Sequence, residues 1–252
     1  MQKFFVKTEQ IYENKINIIG TDVNHILNVL RLKKDDKIQI GNEETFESYI
    51  VKIERYNKEN VICNIIEKLE GTSESNIQID LYQGLPKADK MEWIIQKTTE
   101  IGICDIIAVE TKRTIVKLNE KEATKKIERW QKIAEVAAKQ SKRNKIPQIK
   151  KIINVKQVCE IIKNYDIFLV AYEEEKNQTL KSVLKNYINN DKNNVLKVGI
   201  FIGPEGGIDK EEIDILENNN AKIISLGNRI LRTETAPIVM SSNILYELEK
   251  ND

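Results

Sequence analysis

Two short stretches of this 252-residue chain carry residue types whose spacing points to chemistry. The first is Phe201-Ile202-Gly203-Pro204-Glu205-Gly206-Gly207-Ile208, and the second is Leu226-Gly227-Asn228-Arg229-Ile230-Leu231-Arg232-Thr233-Glu234-Thr235-Ala236. Each reads as an apolar strand that empties into a tight loop and then a helix. The two loops are therefore expected side by side at one edge of a sheet, where α/β proteins build ligand sites. Three glycines in the first loop let backbone amides approach a ligand at a helix N-terminus. In the second, Arg232 and Glu234 sit between Leu231 and Ala236, where the chain should re-enter the core. A buried ion pair there stabilises poorly and often marks function.

The glycine loop is a poor phosphate fingerprint. It has no G-x-G-x-x-G, no Lys-Ser/Thr follows the glycines, and Glu205 would repel an anion. Exposed amides with one carboxylate suit a neutral, hydrogen-bonding ligand that carries a cation, and S-adenosylmethionine is such a ligand. A plain strand-to-helix turn is the competing interpretation. The chain's one histidine, His25, is remote in sequence, which argues against histidine as general base at these loops. Arg232 is left as electrostatic stabiliser, Thr233 and Thr235 as hydrogen-bonding groups, and Glu234 as a carboxylate.

The elements that must position these loops are legible as a change of pattern. Residues 1 to about 70 show short β stretches at Ile16–Ile19, Lys37–Ile40, Ser48–Ile53 and Val61–Ile66, with one amphipathic segment, His25–Leu32, whose Ile26, Val29 and Leu30 share a helical face. This predicts a small β-barrel-like domain over 1–70. Glu70–Asn76 is polar, small and without periodicity, and reads as the linker. From 77 to 252, strands alternate with helices, which predicts an α/β domain with a mainly parallel sheet. Strands are expected at Ile77–Gly84, Ile106–Val109, Ile167–Ala171, Val198–Ile202 and Ile223–Leu226. Asp89 is a candidate cap for a helix with an apolar stripe through Met91, Ile94, Ile95, Thr98 and Ile101 that stops at Gly102. A long basic helix spans about Glu120–Lys139, further helices lie near Thr179–Ile188 and at Ala236–Glu249, and Asp209 with Glu212 forms a capping box.

Forty Lys plus Arg against thirty-nine Asp plus Glu gives a net charge of +1, which names no partner. Between Lys121 and Lys145, however, nine basic residues face three acidic ones, the footprint of a polyanion or, more blandly, a solvated helix face. Cys63, Cys104 and Cys159 are isolated, so neither a disulfide framework nor a metal site is encoded, and reduced core cysteines in a cytoplasmic protein are expected. No run approaches the length of a membrane span.

Several of these segments together resemble one family. Lys87–Gly102, Arg129–Ala137 with Gln140-Ser141 and Arg143-Asn144, the Ile202–Gly207 loop and Leu226–Ala236 are similar to the bacterial RsmE family, 16S ribosomal RNA (uracil-N3)-methyltransferases of the SPOUT superfamily. The resemblance runs from Met1 to about Glu249. It implies a PUA-like RNA-binding barrel, a SPOUT domain with a trefoil knot, a homodimer, and S-adenosyl-L-methionine as cofactor. The implied cofactor contacts are Ala171 and Tyr172 from one loop, Ile202, Gly203, Pro204, Glu205, Gly206 and Gly207 from the next, and Leu226, Gly227, Ile230, Leu231 and Ala236 from the third. Lys3 stands where the family usually has arginine, which would weaken a bidentate phosphate contact, and Asn228 replaces a common proline.

Catalysis is expected from Arg232, Glu234 and Thr233, with Arg232 stabilising negative charge on the uracil imide and Glu234 either accepting its proton or orienting Arg232. RNA docking is assigned to His25 and Arg31 on the barrel and to Lys87, Lys90, Lys97, Arg113, Arg129, Lys132 and Arg143 on the catalytic domain. The small ribosomal subunit is the implied partner. The rival activities are ribose 2′-O-methylation by the same fold, a non-catalytic RNA-binding or ribosome-assembly factor, and a generic nucleotide-binding α/β enzyme. The first would usually carry a Ser-Leu-Asn-type motif in place of Arg232-Thr233-Glu234-Thr235.

Overall fold

A computed structural model describes residues 1–70, 73–188 and 195–249. Gly71 and Thr72 of the expected linker, and 189–194 and 250–252 of the expected second domain, lie outside the described residues. Contacts divide the chain into one unit of Met1–Glu74 with Ala138–Ile146 and another of Ser75–Ala137 with Pro147–Asp252.

The first unit contains strands β1 (Lys3–Val6), β2 (Ile11–Tyr12) and β3 (Lys15–Ile19), a short helix α1 (Thr21–Asn24), and strands β4 (Lys37–Asn42), β5 (Ser48–Tyr56) and β6 (Asn60–Leu69). They form one six-stranded sheet in the order β1-β4-β5-β6-β3-β2, with β1 parallel to β4 and the remaining pairs antiparallel. Alternate residues turn inward, so Ile16, Ile18, Ile38, Ile40, Val51, Ile53, Val61 and Cys63 build the core with Phe4 and Ile26. The amphipathic segment departs from expectation. His25–Val29 is a turn of π-helix closed by Leu30 N–H to His25 O at 2.9 Å, and the wider turn swings Val29 away from Ile26. Ile26 is fully buried and Val29 is 62% exposed.

Three residues of this unit correct expectations, Lys3 one implied by the resemblance and Arg143 and Lys139 ones drawn from the linear charge pattern. Lys3 does not face phosphate: it is 3% exposed, and its amine donates to Asn144 Oδ1 at 2.6 Å, Ser48 Oγ at 3.1 Å and the Lys142 carbonyl at 3.2 Å. Arg143 is likewise 3% exposed, with its guanidinium on Glu74 at 2.5 Å, which takes it out of any solvent-facing RNA surface. Lys139 is paired with Asp22 at 2.7 Å. Burial opposes ionisation of Glu74, but Arg143 and the backbone N–H groups of Lys145 and Asn144 outweigh it and hold the carboxyl below its usual range. A positive run in one dimension is partly compensated in three.

Burial pulls the Lys3 amine from 10.5 down to about 8, with the Glu74 charge opposing the shift. Between those values the unfolded chain keeps a proton that the folded chain has released, so stability rises with pH across this window. Denaturant titrations upward from pH 7.5 are expected to show that rise before the buried Cys63 thiol, pushed up from 9.0 to about 12, opposes it at higher pH. Lys3→Arg, which stays charged throughout, should flatten it; an unchanged slope in the arginine variant would assign the effect elsewhere.

The second unit runs β7 (Ile77–Gly84), α2 (Lys90–Ile101), β8 (Asp105–Glu110), α3 (Glu120–Gln140, whose last three residues pack with the first unit), β9 (Gln148–Ile149), β10 (Ile153–Asn154), α4 (Val155–Ile161), β11 (Ile167–Ala171), α5 (Leu180–Leu184), β12 (Leu196–Ile202), α6 (Lys210–Asn218), β13 (Lys222–Ile224) and α7 (Ala236–Leu248). The sheet order is β10-β8-β7-β12-β11-β13, with β9 on β8, and every pair is parallel. Near-continuous apolar runs such as Ile167–Val170 and Val198–Ile202 fit strands covered on both faces, and these residues are all buried, including Gly199, whose α-carbon faces Phe168. One layer of core, including Met91, Ile94, Ile95, Trp130, Met240 and Ile244, packs on one side, and Val155, Val158, Ile213 and Leu216 belong to a second cluster with Phe168 and Phe201. Asp209 and Glu212 form the expected capping box on α6. Asp89 makes no side-chain cap; its backbone carbonyl instead accepts from Glu92 N–H at 3.0 Å.

Candidate functional site

Because β7, β12, β11 and β13 are adjacent and parallel, the loops leaving their C-terminal ends converge on one edge. There the chain encloses a cavity of about 420 Å³, within the range of small-molecule sites. Its walls are Ala171, Tyr172 and Glu173 after β11, Ile202 to Glu205 with Gly207 after β12, and Ser225 to Glu234 with Ala236 after β13; Lys90 reaches in from the start of α2. All the sequence-predicted cofactor residues line it except Gly206, whose backbone lies against the Arg113 side chain. Arg113 donates to the Gly206 carbonyl at 3.1 Å and so buttresses the loop from outside.

The loop carboxylates are not equivalent. Glu205 is folded back onto α2, where it accepts from Lys87 N–H at 3.1 Å and pairs with Lys90 at 2.9 Å. Burial raises its pKa, but these partners outweigh it and the carboxyl ends below its usual range. Its charge is thus already matched, and it is a poor counter-ion for a ligand cation. Glu173 presses against Gly207, whose φ is +71° and where an added Cβ would stand 2.3 Å from Glu173 Oε1. The glycine is what lets this carboxylate reach the cavity wall.

The possible buried Arg232–Glu234 pair is present only as a long contact with its arginine in solvent. The Arg232 side chain is 83% exposed and only 4.0 Å from Glu234 Oε1. Glu234 is mostly buried and lies nearer Lys90, at 3.5 Å from Oε2, which has no hydrogen-bond partner. The thrust of the loop outward explains the difference, since Thr235 N–H and Ala236 N–H both close on the Arg232 carbonyl at 2.9 Å in a tight turn before α7. Thr233 points the other way: it is 6% exposed, and its hydroxyl donates to Gly203 O at 2.7 Å while accepting from Gln83 Nε2 at 2.9 Å. It ties loop to loop and does not offer its proton to a ligand.

Two family models match this chain, an RNA methyltransferase domain over residues 73–245 and an RNA methyltransferase PUA domain over residues 18–66. Ribosomal RNA small subunit methyltransferase E of Bacillus subtilis is 37% identical over 99% of this chain and 98% of its own length. The chain belongs to the ribosomal RNA small subunit methyltransferase E family. The relative from Mesomycoplasma hyopneumoniae is 35% identical over 98% of this chain and 100% of its own. Among solved structures, a Legionella pneumophila protein with S-adenosylmethionine bound superposes with a TM-score of 0.83 at 28% identity, over 97% of this chain and 96% of its own. The resemblance read from the motifs and the expected α/β fold with a PUA-like N-terminal domain are thereby borne out.

Within this family member the basic residues separate by unit. On the first, Arg31 is exposed and His25 is half-buried, its ring edge-on to Phe4 at 5.8 Å. On the second, Lys87, Arg113 and Lys132 are exposed; Arg129 is exposed but paired with Glu92 at 2.8 Å, and Lys97 with Glu100 at 2.9 Å. Lys90 is drawn into the cavity between two carboxylates and away from the outer surface. Sequence reasoning passed over Gln83, Glu173, Ser225 and Arg229. Glu173 opens a Glu-Glu-Glu run that reads as solvated, whereas Gln83 gave a usable signal, an amide at the end of an apolar strand. Among the described residues, no cluster of three metal-binding side chains occurs, and no helix is long and apolar enough to cross a membrane.

Proposed function

We propose that this chain methylates N3 of a uridine in small-subunit ribosomal RNA, using S-adenosylmethionine, as a homodimer whose C-terminal segment is threaded as a trefoil knot. The observation that carries the reading is the cavity itself, walled by glycine backbone, edged by an exposed arginine and supplied with the inward carboxylates of Glu173 and Glu234. These residues fit the cofactor. Ile202, Leu226 and Leu231 offer apolar walls for a ring, loop amides offer hydrogen bonds, and Glu173 offers negative charge to a cation. When bound, S-adenosylmethionine supplies an electrophilic methyl group on a sulfonium.

The chain's own residues must then favour an ionised imide and align it. Alignment contributes roughly 7–11 kcal/mol when the reacting atoms are held in line. Arg232, free of any close partner at the cavity rim, donates to a uracil carbonyl oxygen as negative charge develops there. Glu234 sits between Lys90 at 3.5 Å and Arg232 at 4.0 Å, with one oxygen toward each. That placement suits a group that orients Arg232, and the imide proton leaves to water at the open rim. Arg31 on the first unit, and Lys87 and Lys132 on the second, are exposed cations assigned to RNA phosphates, which set affinity without reading sequence, whereas Arg113 is exposed but pairs with Asp209 at 3.6 Å.

The test is nucleoside mass spectrometry of small-subunit RNA incubated with the protein and methyl-labelled cofactor. Label is expected in 3-methyluridine. Label in a 2′-O-methylated ribose would transfer the case to the other chemistry, and absence of both label and calorimetric cofactor binding would leave an RNA-binding factor.

A further inference from the structure

We propose that Gln83 is a positioning residue for methyl transfer, its side-chain amide locking Thr233 against Gly203 and thereby fixing the turn that presents Arg232. The inference rests on the methyl-transfer reading above. Gln83 lies one residue from the end of β7 and is fully buried, outside the cavity lining. Its Nε2 donates to Thr233 Oγ1 at 2.9 Å and to Gly84 O at 3.1 Å, and lies 3.5 Å from Gly203 O. The Thr233 hydroxyl spends its proton on Gly203 O at 2.7 Å, so a lone pair must face the amide. This also settles the amide's orientation, since all three neighbours of that atom are acceptors.

The arrangement is costly as packing. Gln83 Oε1 is buried without a hydrogen-bond partner, and a methionine or leucine would fill the strand end without that penalty. The compensating gain is the link itself, which joins the end of β7 to two loops across separations of 120 and 30 residues in the chain. On the other side of the link, the turn from Arg232 to Ala236 has few anchors. Arg232 points to solvent, Glu234 makes only the 3.5 Å and 4.0 Å ion contacts among the described residues, and Thr233 is the side chain inserted among neighbouring backbone. Releasing Thr233 lets the turn shift, and a displacement of about 1 Å at a reacting group costs on the order of 10²-fold in rate.

Gln83→Met keeps the side chain's length but removes the donor, and Thr233→Val removes the acceptor from the opposite side. Each is expected to lower kcat about 10- to 100-fold, with cofactor affinity by calorimetry within about threefold of wild type. The double variant should be no slower than the slower single one, because both changes cut one link. Thr233→Ser, which restores the hydroxyl, should recover most of the rate lost in Thr233→Val. Should Gln83→Met fail to fold, the Thr233 pair carries the same comparison from the loop. Wild-type kcat in Gln83→Met, additive losses in the double variant, or losses that follow cofactor affinity would each overturn the positioning role. A wild-type protein that methylates no RNA would instead overturn the reading of the reaction, so the two failures are distinct.

Discussion

Arg232→Ala is expected to reduce methyl transfer by about 10²- to 10³-fold, or roughly 2.7–4 kcal/mol of transition-state stabilisation, the loss typical for removing one fixed donor from a developing oxyanion. The fold should not register the change. The side chain is 83% exposed and holds a single ion contact at 4.0 Å, a type of pair that contributes little to stability. Cofactor affinity should stay near wild type, because the guanidinium is assigned to the pyrimidine. Arg232→Lys should recover only part of the rate, since an ammonium keeps the charge but not the planar fork. The defect should also shrink as pH rises, because a more alkaline solution ionises the imide without help. Glu234→Gln provides the comparison: an orienting role predicts a smaller loss with the same pH dependence as wild type, and a proton-accepting role predicts a changed pH profile. Single-turnover rates across pH decide among these, and an Arg232→Ala rate within threefold of wild type would falsify the assignment.

Much of this site was visible in the residues because its signals are local. Glycines, a proline and charged residues wedged between apolar neighbours mark Gly203–Gly207 and Arg232–Glu234 without any knowledge of the fold, and period-two and period-3.6 patterns located most strands and helices. What stayed hidden depends on partners distant in sequence. Lys3 and Asn144 are 141 positions apart, and nothing near Lys3 indicates that it is buried. Arg143 counted toward a basic patch until Glu74, 69 residues earlier, consumed its charge. Helix α4, at Val155–Ile161, was missed because two short turns of mixed polarity give little periodicity, although Asn154 and Gln157 make a capping box there. The Arg232–Glu234 contact is long and not buried for a related reason: sequence order places the two side chains together, but a turn at Arg232–Ala236 sends one outward and the other toward Lys90.

Gly84→Ala is expected to impair both the fold and the cofactor site, although Gly84 does not line the cavity. It ends β7, where Pro204 of the neighbouring loop lies across its α-carbon. A methyl group there would stand 2.5 Å from both Pro204 Cδ and Pro204 N and 2.9 Å from the Gly203 carbonyl carbon. Two of those atoms are backbone, so relief requires the Gly203-Pro204 segment to move as a unit. Overpacking of this kind costs about 1–3 kcal/mol, and the displaced segment is the wall that carries the loop amides. Calorimetry should therefore show cofactor affinity reduced at least about tenfold, together with a lower thermal midpoint. Gly207→Ala makes the contrast. Its added methyl meets the free end of Glu173, which can rotate away, and its main cost is the left-handed backbone at φ +71°, about 1–2 kcal/mol. That variant should lose affinity with a smaller change in melting, since the strain lies in the loop and not between strand and loop. If Gly84→Ala binds S-adenosylmethionine within threefold of wild type, the proline loop is not held by β7, and the cavity must owe its shape to the contacts of Thr233, Arg113 and Glu205.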